Sequence, residues 1–123
     1  MEHPNASAIR KMGEAMDRGD WEALDGAVAD DVIWHEIGGS EPKRGRAALR
    51  AEGTAADYDI KFKLHDVIGG DDHTIALGEA TATRGDKSLT YRTAEIYHMK
   101  DGKIAERWAF SDDTKAITDF FGS

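Results

Sequence analysis

Two glutamates sit where strand patterning would not place a charge. Glu36 falls inside the run Val32-Ile33-Trp34-His35-Glu36-Ile37, which is otherwise branched and aromatic and is broken by Gly38-Gly39 and then Pro42. Such a composition between breakers reads as a short β-strand. Glu95 is the one formal charge in the alternating row Leu89, Tyr91, Thr93, Glu95, Tyr97 and Met99. Two carboxyls facing one water-poor pocket form an acid/base arrangement. Burial disfavours the charged form and raises a carboxyl pKa. Neighbouring carboxyls also couple, so that one keeps its proton while the other ionises. Proton abstraction next to a carbonyl, aldol cyclisation and dehydration are all chemistry for such a set.

Whether the two carboxyls meet depends on strand register. Glu36 faces a pocket in one register together with Trp34. In the other, Glu36 turns out toward Arg44 or Arg46 and His35 points inward, because side chains alternate faces. Glu95 can be placed from the turns. Gly85-Asp86 and Asp101-Gly102 are two-residue hairpin signals, in which glycine supplies positive φ. Counting outward from the first pairs Arg84 with Lys87 and Glu79 with Arg92, and opposite charges across a strand pair account for Glu79. The same count puts Ala76, Gly78, Ala80 and Ala82 beside Glu95. Counting from the second turn sets Glu95 opposite Trp108, with Phe110 and Ile104 on its side and Arg107 on the other face. Small residues on one flank and aromatics on the other would leave a hollow holding a carboxyl. The small residues would equally let a helix pack closely.

The elements that must position these groups are legible in outline. Asn5 or Ser7 can cap a helix with Ile9, Met12 and Met16 on its apolar face; Gly19 stops it. Asp20 caps a second helix carrying Trp21, Leu24 and Val28. Ala29-Asp30-Asp31 leads into the strand of Glu36, and Gly45 to Gly53 reads as a third helix. From Tyr58 to Phe110 the pattern is four strands, after which Ser111 or Asp112 caps a last helix with Ile117, Phe120 and Phe121. Helices first and an antiparallel sheet second make the fold class α+β.

A chain of 123 residues suits a single domain, 1–123. With 40% hydrophobic and 33% charged residues it is globular rather than disordered. The 24 acidic against 16 basic residues give a net charge of −8, which argues against nucleic acid or an anionic membrane as partner. No apolar run approaches the ~20 residues that span a bilayer, and the first residues lack a signal-peptide pattern. The absence of cysteine excludes disulfides, thiolate catalysis and Cys-ligated metals, and makes a cytoplasmic location the expectation. His3, His35, His65, His73 and His98 show no metal-ligand spacing. Neither a metal nor a cofactor is implied. Lys43, Arg44, Arg46 and Arg50 cluster near the expected pocket mouth, as solvated surface or as an attractor of acidic substrate.

"GDWEALDGAVADD", a strand, the "GRAAL" helix and the late "DGKIAERWAFSDD" together resemble the nuclear transport factor 2-like superfamily, including SnoaL-like polyketide cyclases, from about Ile9 to Phe121. The resemblance implies a cone-shaped curved antiparallel sheet wrapped around N-terminal helices, enclosing an apolar pocket. It also implies a homodimer through the outer sheet face. Gly19 to Gly45 further resembles bacterial ketosteroid isomerase, whose aspartate general base falls at Glu36 and whose protonated, hydrogen-bond-donating aspartate falls at Glu95. The isomerase's oxyanion tyrosine falls at Met12 and a supporting tyrosine at Gly53, so neither donor is present. The resemblance thus makes Glu36 the base and Glu95 the neutral donor, with Tyr97 the remaining phenol able to replace the donor lost at Met12. Met12, Met16, Trp34, His35, Trp108 and Phe110 would line the pocket around a small apolar ligand.

Three functions fit these residues. One is a cofactor-independent isomerase, cyclase or dehydratase acting on an apolar carbonyl compound. Another is a non-catalytic module that holds a small hydrophobic ligand or a partner protein in the same cone. The third, an epoxide hydrolase, needs a carboxylate-arginine-carboxylate set around a water, and the expected register turns Arg92 and Arg107 away.

Overall fold

Two tight turns fold the second half of the chain back on itself, and one extra residue decides which side chains end up inside. In the computed structural model, residues 2–38, 41–55 and 57–122 are described, with side chains at all of these except 53–55 and 122. Gly39, half of the expected glycine break, lies outside them. The elements run α1 (Pro4–Arg18), α2 (Trp21–Ala27), β1 (Val28–Trp34), β2 (Lys43–Arg44), α3 (Arg46–Ala55), β3 (Asp59–Gly69), β4 (His73–Arg84), β5 (Lys87–Lys100), β6 (Lys103–Ser111) and α4 (Thr114–Gly122).

The six strands form one curved, unclosed sheet in the order β2-β1-β6-β5-β4-β3. It is mixed: β1 runs parallel to β6, while every other neighbouring pair is antiparallel. The fold is α+β, as expected, with β2 an addition that the sequence pattern did not reveal. The helix caps differ in detail. The ring Nδ1 of His3, rather than Asn5 or Ser7, accepts from the Asn5 amide at the start of α1, with Pro4 in the first turn. Asp20 caps α2 as expected, and Asp113 accepts from the Ala116 amide to cap α4.

Across the Gly85-Asp86 turn the register is the expected one: Arg84 pairs with Lys87, Glu79 with Arg92 and Ala76 with Glu95. The Asp101-Gly102 turn also forms, both residues taking positive φ (54° and 77°), the geometry that suits the right-handed strand twist. Two pairs later the register slips. Met99 pairs with Ile104 but His98 pairs with Glu106, leaving Ala105 as the extra residue of a β-bulge. A one-residue slip exchanges the faces of everything beyond it. Glu95 therefore lies opposite Ala109, not Trp108. Trp108 and Phe110 go to the outer face and Arg107 comes inside, which corrects the expected positions of all three.

The inner face of the sheet holds the core. Ala6, Ile9 and Met12 of α1 pack with Val28, Val32, Val67, Ala76, Tyr97, Met99 and Ile104 in one buried cluster. A second joins Ala80, Ala82 and Tyr91 to Ile117 of α4. The small residues of β4 serve this packing. A Cβ on Gly78 would lie 2.9 Å from the Lys63 carbonyl oxygen and would meet the ring of Phe62.

Candidate active site

Glu36 follows β1 directly, and β1 fixes its direction. Trp34 pairs with Arg107 on β6 and with Lys43 on β2, and the His35 amide donates to the Arg107 carbonyl at 2.9 Å. With Trp34 held to the inner face, alternation sends His35 out and Glu36 in. His35 stacks on Trp108 at 5.7 Å between ring centroids and bonds to Glu106 at 2.6 Å. It belongs to the outer sheet face and not to the pocket. Phe110 shares that face and is 57% exposed.

Glu36 faces an open-mouthed cavity of about 640 Å³ walled by α1, α2, α3, the inner sheet face and α4. Met12, Met16 and Trp34 line it, together with Leu24, Leu49, Ile60 and Phe121. The polar groups among the apolar lining are Glu36, Glu52, Arg107, Asp25, Arg46, Arg50, Thr118 and the phenols of Tyr58 and Tyr91. Burial raises the pKa of Glu36. The negative charge of Glu52 raises it further, and a carboxyl–carboxyl contact with Glu52 adds to the rise, against opposition from Arg107 and Lys43. Tyr58 is pushed up by burial and by the charges of Glu52 and Glu36.

Glu95 is buried, but its partners differ from those expected. Its Oε1 accepts from Arg107 Nη2 at 2.8 Å and from the Tyr97 hydroxyl at 3.0 Å, and its Oε2 accepts from Thr93 at 3.2 Å. Three donors converge on these two oxygens. A carboxylate meets that demand, whereas a neutral acid would present one donor of its own to other donors. The neutral-donor role expected of Glu95 is thus at odds with its surroundings. Tyr97 is spent in the same way: its hydroxyl donates to Glu95, and neither residue lines the cavity. Burial, then the Glu95 charge, pushes the Tyr97 phenol well above its ordinary value.

Arg107 is the group these partners hold. Its Nη1 donates to the His35 carbonyl at 3.0 Å, and its guanidinium carbon lies 4.5 Å from the centroid of the Trp34 ring. Burial, the largest influence, would lower its pKa, but the charge and hydrogen bond of Glu95 together with Tyr97 and Glu36 outweigh it and the net shift is upward, so the cation is secure. Its buried Nε–H has no hydrogen-bond partner. The site therefore offers a fixed cation and a raised-pKa carboxyl on one apolar cavity. Among the described residues, no group of His, Asp and Glu could hold a metal.

Four site residues were not picked out by sequence. Arg107 was hidden by the bulge, which no residue type announces. The others left a readable signal. Glu52 sits three residues after Leu49 on the inner face of α3. Tyr58 shares strand parity with Ile60, and Tyr91 with Glu95.

Comparison with known proteins agrees with this architecture. The model of the SnoaL-like domain family matches residues 9–107. The chain belongs to the SnoaL-like domain family, within the nuclear transport factor 2-like superfamily. Bal32a, from a soil-derived mobile gene cassette, is 27% identical, with 95% of each chain covered and a TM-score of 0.83. IdmH from Streptomyces antibioticus, a candidate polyketide cyclase, is 22% identical over 97% of this chain and 99% of its own, with a TM-score of 0.75. An epoxide hydrolase from M. tuberculosis is 16% identical over 98% and 97%, with a TM-score of 0.78. Among proteins of curated function, none matches the sequence. No helix among the described residues is long and apolar enough to cross a membrane.

Proposed function

We propose that this SnoaL-like chain is a cofactor-independent enzyme that moves a proton on a small apolar carbonyl compound. The observation that carries the reading is the pairing of Glu36 with Arg107 on one apolar cavity. A base is most effective when its pKa lies near the working pH, and burial beside Glu52 moves Glu36 that way. Arg107 takes the electrophile's role first expected of Glu95. Its guanidinium, held by Glu95, the His35 carbonyl and Trp34, stabilises the oxyanion that forms as the α-proton leaves. Glu95 and Tyr97 are positioning residues that act through Arg107.

The substrate is a flat apolar ketone or ester, which the Met12, Met16 and Trp34 walls accommodate. The protein works in the cytoplasm as a homodimer joined through the outer sheet face, where Trp108 and Phe110 lie.

The test is deuterium exchange at the α-carbon of β-tetralone in D₂O, followed by proton NMR. The native chain is expected to speed exchange, and Glu36→Gln to lose ~10²–10⁴-fold of it while still binding the ketone. Undiminished exchange in Glu36→Gln would sink the assignment. If the native chain binds β-tetralone but never exchanges it, the non-catalytic binding module becomes the better reading.

A second reading gains from the bulge. With Arg107 inside, Glu36 and Arg107 share the cavity and Glu95 stands behind Arg107, which supports a carboxylate-arginine-carboxylate reading of epoxide hydrolysis. Diol formation from styrene oxide, lost in Glu36→Gln, would favour it over carbonyl chemistry.

A further inference from the structure

Among the described residues, six large hydrophobic side chains stand exposed, and three of them line the cavity of Glu36: Met16 (49%), Trp21 (37%) and Ile60 (39%). Scattered single residues of this kind need no explanation, but three around one opening form a rim. Helix α1 gives the direction of the cavity. Met12 and Met16 lie one turn apart on the same helix face. Met12 is buried and Met16 is half exposed, so this wall runs from the interior to water. Trp34 packs against the same buried cluster as Met12, and the Arg107 guanidinium lies on its ring, which sets the reacting groups at the inner end. At the outer end Trp21 opens α2 directly after the Asp20 cap. The Arg50 guanidinium carbon lies 5.7 Å from the centroid of its ring, and Arg50 is ion-paired with Asp25. The indole is thus held in place, and the charges beside it answer each other. Hydrocarbon is the chemistry this rim offers. A volume of about 640 Å³ suits a drug-sized ligand, more than a carbonyl and one ring would fill.

We propose that the substrate carries a hydrocarbon tail that leaves the cavity between Met16, Trp21 and Ile60, while its carbonyl lies at Glu36 and Arg107. This rests on the carbonyl reading above and names a class within it: long-tailed apolar ketones or esters rather than compact ones. Covering the rim removes apolar area from water, and each methylene placed there strengthens binding by ~2–4-fold. Met16 can follow tails of different shape, because its side chain is unbranched and flexible. The rim residues determine specificity and touch no reacting atom.

The three tryptophans of the chain report on this separately. Trp34 stands beside Arg107, Trp21 on the rim and Trp108 on the outer sheet face against His35. Their indole N–H signals are followed by NMR while the native chain is titrated with para-alkyl acetophenones, from methyl to octyl. The methyl compound is expected to move Trp34 alone, the octyl compound both Trp34 and Trp21, and neither to move Trp108. A Trp21 signal indifferent to tail length would overturn the proposal, as would a Trp34 signal that no homologue moves or an equal movement of Trp108. A Trp21 signal that follows protein concentration instead of tail length would make the rim a contact between copies, and would overturn it too. Dissociation constants for the same series supply a second measurement. In Met16→Gln/Ile60→Thr, whose new residues suit a helix and a strand, the octyl-over-methyl preference is expected to drop ~10-fold. A preference kept in full would place the tail elsewhere. If the native chain gives the expected tryptophan pattern but never exchanges β-tetralone, the tail site stands and the catalytic reading falls. If it exchanges β-tetralone while Trp21 ignores the tail, the tail site alone falls.

Discussion

Arg107 and Glu95 depend on each other. Their side chains are 11% and 9% exposed, so each sits largely out of water and is tolerated because the other is there. Removing one partner of a buried pair strands the other charge at a cost of about 3–5 kcal/mol. Arg107→Met should therefore lose roughly that much stability in urea unfolding. Glu95→Gln introduced on top should recover part of the loss, since the amide carries no charge to strand. Additive losses in that double-mutant cycle would mean that the pair is not coupled. The sequence placed Glu95 inside by strand parity but assigned it the wrong partner, because parity gives the face of a residue and not what stands across from it. Glu36 was legible only as one of two registers. The hydrogen bond from the His35 amide to the Arg107 carbonyl, a contact distant in sequence, settles which is adopted.

The hairpins were legible as elements because their turn residues carry their own geometry. Every pair between β4 and β5 follows from Gly85-Asp86. The bulge at Ala105 was not legible, since alanine has no special backbone preference and the sequence "KIAERW" alternates acceptably in either register. That one residue moved Arg107 in and Trp108 and Phe110 out, and it accounts for most of the difference between the expected pocket and the observed one. The close approach of β3 and β4 at Gly78 makes a prediction at this scale. Gly78→Ala should cost ~1–3 kcal/mol by overpacking, because the Lys63 backbone must give way. A melting temperature equal to that of the native chain would show that the strands have slack there.

At the scale of the whole molecule, the fold is the curved sheet packed against N-terminal helices that the resemblance carried in the sequence anticipated, with a cavity lined by both apolar and charged side chains. What the sequence did not supply was the full polar constellation, because it joins the segment after β1 and α3 to β6, far along the chain, and the bulge decides which β6 side chain enters. Glu36 is held in that cavity with a raised pKa, a state that also bears on stability. A group that binds its proton more tightly folded than unfolded contributes stability that is fully present below its unfolded pKa and lost as pH rises through its folded pKa. Glu36→Gln should accordingly match or exceed the native chain in stability above that window and show no advantage below it. The most direct measurement is the carbon-13 NMR titration of the Glu36 carboxyl in the native chain, alone and with β-tetralone bound. A midpoint clearly above that of an exposed glutamate, moving when the ketone binds, is the predicted result. An ordinary midpoint, indifferent to the ketone, would place Glu36 in water and contradict the assignment of this cavity as an active site.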